Sequence, residues 1–263
     1  RDTTVERAAA FALDRGADCL LALGGGSAMD TAKAAGILMK SGGRVKDYEG
    51  IHKVPEKNPL LFAIPTTVGT GSEVTVWAVI KDTRENYKLS IGSPHIAPDI
   101  AFADPLLVST LPPQVTAATG MDALTHAIEG YTCKIAEPVT DACGLYAIRL
   151  ISRSLRDAVF TDSLEARANM LMGSLLAGIC FGNSDVAACH CMSEALGGLY
   201  DTPHGVANAL MLPYTMEFNY VSDLTKFAQV AEAMDVCVRN LSPRQGACAS
   251  VEAVRELNRD LGI

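Results

Sequence analysis

The sequence predicts an α/β nucleotide-binding domain over residues 1–111, followed by an all-helical metal-binding domain over 112–263. Three observations carry this. The first part holds short apolar runs, each followed by a loop of glycine or small hydroxyl residues. Leu111-Pro112-Pro113 is the sharpest break in the chain. From Gln114 onward strand signals fade and apolar residues recur at three- and four-residue spacing.

Composition narrows the classes of function. At 263 residues, with 49% hydrophobic and 20% charged residues, the chain has the makings of a large core or two ordinary ones. A net charge of −8 and the absence of a basic run argue against nucleic acid as a partner. No apolar stretch is long enough for a membrane helix and no signal pattern opens the chain, so a cytoplasmic protein is expected. The eight cysteines are scattered and read as reduced residues, not disulfides. Both ends read as cut, the start entering helical text at once and the end stopping as a helix would hand over.

In chain order, Val5–Leu13 is helical text and Cys19–Leu23 a continuous apolar run, read as a buried parallel strand. Gly24-Gly25-Gly26-Ser27 and the helix-forming residues 28–37 follow. Strand, glycine loop and helix are the order of a phosphate cradle, because glycine lets an anion approach the backbone and the helix start offers free N–H groups. Met29 stands where a GxGxxG would need glycine, and no Gly-Lys-Ser/Thr is present, so this loop alone reads as either a phosphate site or a plain turn. Residues 40–59 are irregular. Leu60–Ile64 is the next buried strand, and after Pro65 a second loop runs from Thr66 to Glu73. Two such loops beyond two adjacent strands are where open α/β sheets bind ligands, which favours the nucleotide reading. Val74–Ile80 and Tyr87–Ile91 read as a hairpin, with Thr75 and Trp77 on one face; the lone tryptophan either packs in the core or walls the cleft. Ala97–Pro105 reads as a last buried strand.

The second part is expected to hold helices over 114–131, 138–159, 162–181, 184–197, 203–219, 222–236 and 249–261, with a ligand cleft between the two parts. Asp122 and His126 lie at i and i+4 and so share a helix face, either as an ordinary polar pair or as ligands. His190 begins another helix with Glu194 one turn on, and His204 follows Thr202-Pro203 in a helix's first turn. One carboxylate and three imidazoles suit a borderline divalent ion, Fe²⁺ or Zn²⁺, with a position left for substrate. Cys189 and Cys191 lie off the face of His190 and are set aside as ligands.

Four stretches together are recognisable: Gly24-Gly25-Gly26-Ser27-x-x-Asp30-x-x-Lys33, Pro65-Thr66-Thr67-x-Gly69-Thr70-Gly71-Ser72-Glu73-Val74-Thr75, Gly120-Met121-Asp122-Ala123-Leu124-Thr125-His126-Ala127-Ile128-Glu129, and His190 with Tyr200-Asp201-Thr202-Pro203-His204-Gly205. From about Arg7 to the end the chain resembles the iron-containing (group III) alcohol dehydrogenases. The resemblance implies a dehydroquinate-synthase-like fold and reversible hydride transfer between NAD or NADP and a short-chain aldehyde or alcohol, of propanediol or simple primary type. It implies Asp122, His126, His190 and His204 as metal ligands, and Gly25, Gly26, Ser27, Thr66, Thr67, Thr70, Thr75 and Lys88 as cofactor contacts. It also implies a homo-oligomer, a dimer or larger. Many relatives carry a second histidine four residues after the first of the metal pair; here Glu194 stands there, as a catalytic candidate or a structural substitution. A metal- and NAD-dependent cyclase of the same fold would need basic residues around the metal, and near these motifs only Lys134 qualifies. An inactive binding fragment is the remaining alternative.

Overall fold

A computed structural model of the chain describes residues 1–263. It divides into two compact units, Arg1–Thr67 with Ser72–Asp104, and Val68–Gly71 with Pro105–Ile263. The division falls at 104/105 and not at 111/112. Val108 is buried in the helical core, and its carbonyl accepts from the buried Arg167 Nη1 at 2.8 Å.

The first unit runs α1 (Asp2–Asp14), β1 (Cys19–Gly24), α2 (Gly26–Ser41), β2 (Gly50–Ile51), β3 (Leu60–Pro65), β4 (Trp77–Asp82), β5 (Tyr87–Gly92) and β6 (Ile100–Ala101). Strands β1, β3 and β6 form a parallel sheet in that order, while β2, β5 and β4 form a second sheet around the β4–β5 hairpin. Val5 and Ala9 of α1, Ile37 of α2, and Ile80, Leu89 and Ile91 of the hairpin share one core.

Three expectations are corrected in this unit. Burial of β1 is one-sided: Ala22 is buried, whereas Leu21 and Leu23 are exposed. The expected strand 74–80 begins only at Trp77, because Ser72–Val74 makes a single turn and Thr75 folds around Lys33. Trp77 is half-buried, its ring lying across Gly92 of the partner strand. The expected strand 97–105 shrinks to two residues, since Pro98 and Pro105 have no N–H to give a ladder and the Asp99 carboxylate accepts from Leu61 N instead.

The second unit is helical: α3 (Pro113–Thr132), α4 (Pro138–Phe160), α5 (Leu164–Asn183), α6 (Ala188–Tyr200), α7 (His204–Asn219), α8 (Leu224–Ala233) and α9 (Pro243–Leu261). All seven expected helices are present with shifted ends. Helix α9 starts at Pro243 and not at 249, because Ser242 and Gln245 close a reciprocal capping box. Helix α8 stops at Ala233, ahead of Asp235 in the left-handed region at φ 63°. The core is built from Met121, Leu124 and Ile128 of α3 with Ile148, Ile151 and Leu155 of α4, Met170 of α5 and Leu212 of α7. No single helix is long and apolar enough to cross a membrane.

Candidate metal centre

In the first unit the two small-residue loops leave neighbouring strands at the same edge. Gly24 pairs with Pro65 in the parallel register, and Thr66 N donates to Gly24 O at 2.9 Å. Gly25 is the N-cap of α2 and carries no side-chain cap. A Cβ on Gly25 would lie 2.8 Å from Thr67 Oγ1, so glycine is what lets Gly25, Gly26 and Ser27 sit against Thr66 and Thr67. The start of α2 thus offers backbone N–H groups at the edge where open sheets bind phosphates.

The second loop is tied down by a buried ammonium. Lys33, fully buried on α2, donates to Ser72 Oγ (2.9 Å), Thr75 O (3.0 Å), Thr75 Oγ1 (3.2 Å) and Trp77 O (2.8 Å). Ser72 Oγ in turn donates to Asp30 Oδ1 at 2.7 Å, and Val79 N to Asp30 Oδ2 at 3.0 Å. Burial lowers the Lys33 pKa to about 8 against the pull of Asp30 and Glu73, and burial raises both of those carboxyls. Thr75, an expected cofactor contact, is buried with its hydroxyl on Lys33. Thr70 belongs to the second unit's segment Val68–Gly71. Lys88 is half-buried on β5, opposite Lys81 and out of line with the core residues Leu89 and Ile91.

In the second unit three of the four expected ligands cluster, and the fourth, His204, approaches Asp122 from the start of the next helix. Asp122 and His126 project from α3, His190 from the first turn of α6, and His204 opens α7, with Pro203 as its N-cap instead of its first helical residue. Ligand atoms of Asp122, His126 and His190 all lie within 4.8 Å of one another, and these three residues are buried. His204 Nε2 is 3.6 Å from Asp122 Oδ1, His190 Nε2 3.8 Å from the same oxygen, and His126 Nδ1 4.0 Å from Asp122 Oδ2. His126 also stacks on Phe181 with ring centroids 4.2 Å apart.

Backbone geometry explains the convergence. A Cβ on Gly205 would stand 2.1 Å from Ala118 O, so only glycine lets the start of α7 lie against α3 and brings His204 to Asp122. Gly71, at φ 57°, has a similar role: a Cβ there would meet Gly178 Cα of α5 at 2.6 Å. The neighbouring Gly69 is held by its N–H to Ser174 Oγ at 2.8 Å, and its carbonyl lies 3.2 Å from His126 Nδ1. With the Nδ1 proton on that carbonyl, His126 keeps a lone pair on Nε2.

Two residues of the site escaped the sequence reading. Glu129, at i+7 from Asp122 and i+3 from His126, takes His190 Nδ1 at 2.5 Å, Cys189 N at 2.8 Å and His190 N at 3.3 Å. Asn208, at i+4 from His204 and fully buried, places Nδ2 2.6 Å from Asp122 Oδ1, 3.1 Å from His190 Nε2 and 3.3 Å from His204 Nε2. Each stands about one turn beyond a predicted ligand, which is the signal that was available. The cysteines are not ligands: the Cys189 thiol points to Asn208 O at 3.4 Å, and Cys191 is exposed. Glu194 lies one turn beyond His190 on α6, half-buried.

The donor set fits a divalent ion. Burial opposes ionisation of Asp122, yet the imidazoles of His126, His204 and His190 and the Asn208 amide outweigh it and hold the carboxyl below its ordinary range. Burial, with His190 beside it, pushes His126 down to about 3, leaving a neutral imidazole. The Nε2 atoms of His204 and His190, 3.6 and 3.8 Å from Asp122 Oδ1, lie beyond hydrogen-bond length. These separations approach the about 3.4 Å between two ligand atoms that are each ~2.1 Å from one tetrahedral ion.

The chain is similar to known proteins along its whole length. Residues 1–105 match the family model for iron-containing alcohol dehydrogenase, and residues 116–263 the model for the C-terminal part of the Fe-containing alcohol dehydrogenase family. The chain is 43% identical to 1,3-propanediol dehydrogenase of Klebsiella pneumoniae over 100% of its own length and 68% of that protein. It is 41% identical to lactaldehyde reductase of Escherichia coli (strain K12) over 99% of its length and 69% of that protein. A crystal structure of 1,3-propanediol oxidoreductase superposes with a TM-score of 0.98 at 43% identity, covering 100% of this chain and 69% of the other. The chain therefore spans about two thirds of the length of these relatives.

Proposed function

The chain belongs to the iron-containing alcohol dehydrogenase family, and we propose that it interconverts a short-chain aldehyde and its alcohol by metal-assisted hydride exchange with NAD or NADP. The observation that carries this reading is the convergence of Asp122, His126 and His190, with His204 against the same carboxylate. When bound, the ion, Fe²⁺ or Zn²⁺, supplies positive charge at a carbonyl oxygen, and the nicotinamide supplies or accepts the hydride.

The chain's own residues do the remaining work. Asp122 brings the one formal negative charge of the ligand set, while His126, His190 and His204 bring neutral donors. Burial of Asp122, His126 and His190 keeps bulk water from competing for the ion. Gly25, Gly26 and Ser27 at the uncapped start of α2 bind the pyrophosphate through backbone N–H groups, with Thr66 and Thr67 beside them. Thr70, Thr75 and Lys88 complete the proposed cofactor contacts; the role of Thr75 there is to shape the loop, its hydroxyl being held by Lys33. Glu194 exchanges the alcohol's proton with solvent. Its test is Glu194→Gln, for which we expect a lower kcat with metal affinity unchanged; an unchanged kcat makes Glu194 structural.

The substrate class follows the relatives, which act by name on 1,3-propanediol and lactaldehyde. These are oxidoreductases, and the centre brings no lysine or arginine to its ligands, so the cyclase reading is set aside. The cytoplasmic location is proposed on the sequence, whose eight cysteines are scattered and not arranged as a disulfide framework. Assembly as a dimer or larger is proposed on the family resemblance. The deciding experiment is anaerobic Fe²⁺ reconstitution followed by NADH and NADPH oxidation with a panel of small aldehydes. Turnover is expected with small diol-derived or simple aldehydes; metal-loaded protein inert to all of them overturns the reading and leaves the binding fragment.

A further inference from the structure

We propose that Glu129 is a positioning residue for the metal centre: it holds the His190 ring from behind, so that Nε2 alone is presented toward Asp122. The inference rests on the metal-dependent reading above.

The argument begins with the start of α6. Its N-cap is Ala187, which has no side-chain oxygen to give, and the first N–H groups of a helix have no partner within the helix. Glu129 supplies the missing acceptor from α3. One carboxylate, buried to 4% exposure, takes Cys189 N at 2.8 Å, His190 N at 3.3 Å and His190 Nδ1 at 2.5 Å. The backbone N–H of His190 and its ring Nδ1 are therefore fastened to one oxygen, Oε2, while Oε1 takes the preceding Cys189 N–H. A carboxylate at a helix start is also favoured by the helix dipole, so the arrangement stabilises α6 while it aims the imidazole.

Ring orientation follows directly. With Nδ1 donating to Glu129 Oε2, the lone pair of His190 is left on Nε2, which lies 3.8 Å from Asp122 Oδ1 and 3.1 Å from Asn208 Nδ2. Because Asp122, His126 and Glu129 follow one another at i, i+4 and i+7, a single face of α3 carries two ligands and the support of a third. Carboxylates behind metal-bound histidines typically change metal affinity by about 10–100-fold.

The test separates aiming of the ring from simple capping of the helix. Zn²⁺ affinity is measured by competition with a chromophoric chelator, and Co²⁺ loading by its ligand-field spectrum, on the 263-residue chain. Glu129→Leu is expected to weaken Zn²⁺ binding about 10–100-fold and to alter the Co²⁺ spectrum. Glu129→Gln, which keeps one oxygen for Nδ1, is expected to recover part of that loss. Adding Ala187→Ser to Glu129→Leu gives α6 a local cap and is expected to raise thermal stability without restoring metal affinity. Metal affinity within twofold of wild type in folded Glu129→Leu overturns the proposal, as do a Glu129→Gln variant that binds metal no better than Glu129→Leu and full recovery by Ala187→Ser. If Glu129→Leu does not fold, Glu129→Gln and the Ala187→Ser pair carry the same decision. Wild-type protein that binds metal yet turns over no aldehyde sinks the dehydrogenase reading while leaving this one to the affinities; wild type that binds no metal sinks both.

Discussion

The two units bury opposite charges in opposite ways. The first buries a cation, Lys33, inside four oxygens at 2.8–3.2 Å, every one within hydrogen-bond length. The second buries an anion, Asp122, among three imidazoles at 3.6–4.0 Å, with only the Asn208 amide at hydrogen-bond distance. A saturated ammonium is a structural fastening: it fixes the loop from Ser72 to Trp77 and has no donor left over. A carboxylate facing imidazole nitrogens beyond hydrogen-bond range is unfinished in a way that a divalent ion completes. Burial of charge alone therefore does not mark a functional site; what distinguishes the two is whether the partners already satisfy it.

That contrast predicts a dissociation between activity and stability. Asp122→Ala should cut metal-dependent turnover by on the order of 10³-fold, because the ligand set loses its only formal charge. Its urea midpoint should shift less than that of a variant in the Lys33 cluster, since of the groups around Asp122 only the Asn208 amide is at hydrogen-bond distance. Lys33→Met should do the reverse. Removing one partner from a buried charge cluster costs about 3–5 kcal/mol, because Glu73 remains buried and Asp30 half-buried without their cation, and the loss should appear in urea unfolding. If Asp122→Ala unfolds the protein, or Lys33→Met leaves its stability intact, the comparison is broken.

A smaller effect tests the contact that assembles the second site. Gly205→Ala places a Cβ against Ala118 O and should cost about 1–3 kcal/mol by moving the start of α7. His204 would move with it, so metal affinity should fall while Asp122, His126 and His190 stay in place; a calorimetric metal titration and a thermal melt check both.

The last test is the pH dependence of the metal-free protein. Lys33 has a folded value of about 8 against an ordinary 10.5, so between those pH values the unfolded chain holds more protons and stability rises with pH. His126, at about 3 against 6.5, has the same sign in the window from pH 3 to 6.5. Each window contributes a slope of up to about 1.4 kcal/mol per pH unit. The upper slope should vanish in Lys33→Met and persist in Asp122→Ala, as read from urea unfolding across pH 7–11.

Much of this was legible along the chain. The seven helices of the second unit follow from three- and four-residue spacing. The pair Asp122 and His126 follows from one helical turn, and the strand, glycine loop and helix order follows from residues 19–37. The errors fall where local text was ambiguous. An apolar run such as Cys19–Leu23 does not say how many of its faces are covered. Proline-flanked text such as Ala97–Pro105 promises a longer strand than its missing N–H groups can pair. Thr75 read as strand because nothing nearby announced that Lys33, 42 residues earlier, would draw its backbone round.

By itself, then, the sequence determined which residues share a helix face and which chemical groups are available, because helical and strand periods are local properties of the backbone. Tertiary structure decided which faces meet. Glu129 and His190 are 61 residues apart, and Asn208 and Asp122 are 86 apart. Their contacts depend on the close approach of α3, α6 and α7 that Gly205 and its neighbours permit, and no period along the chain encodes it.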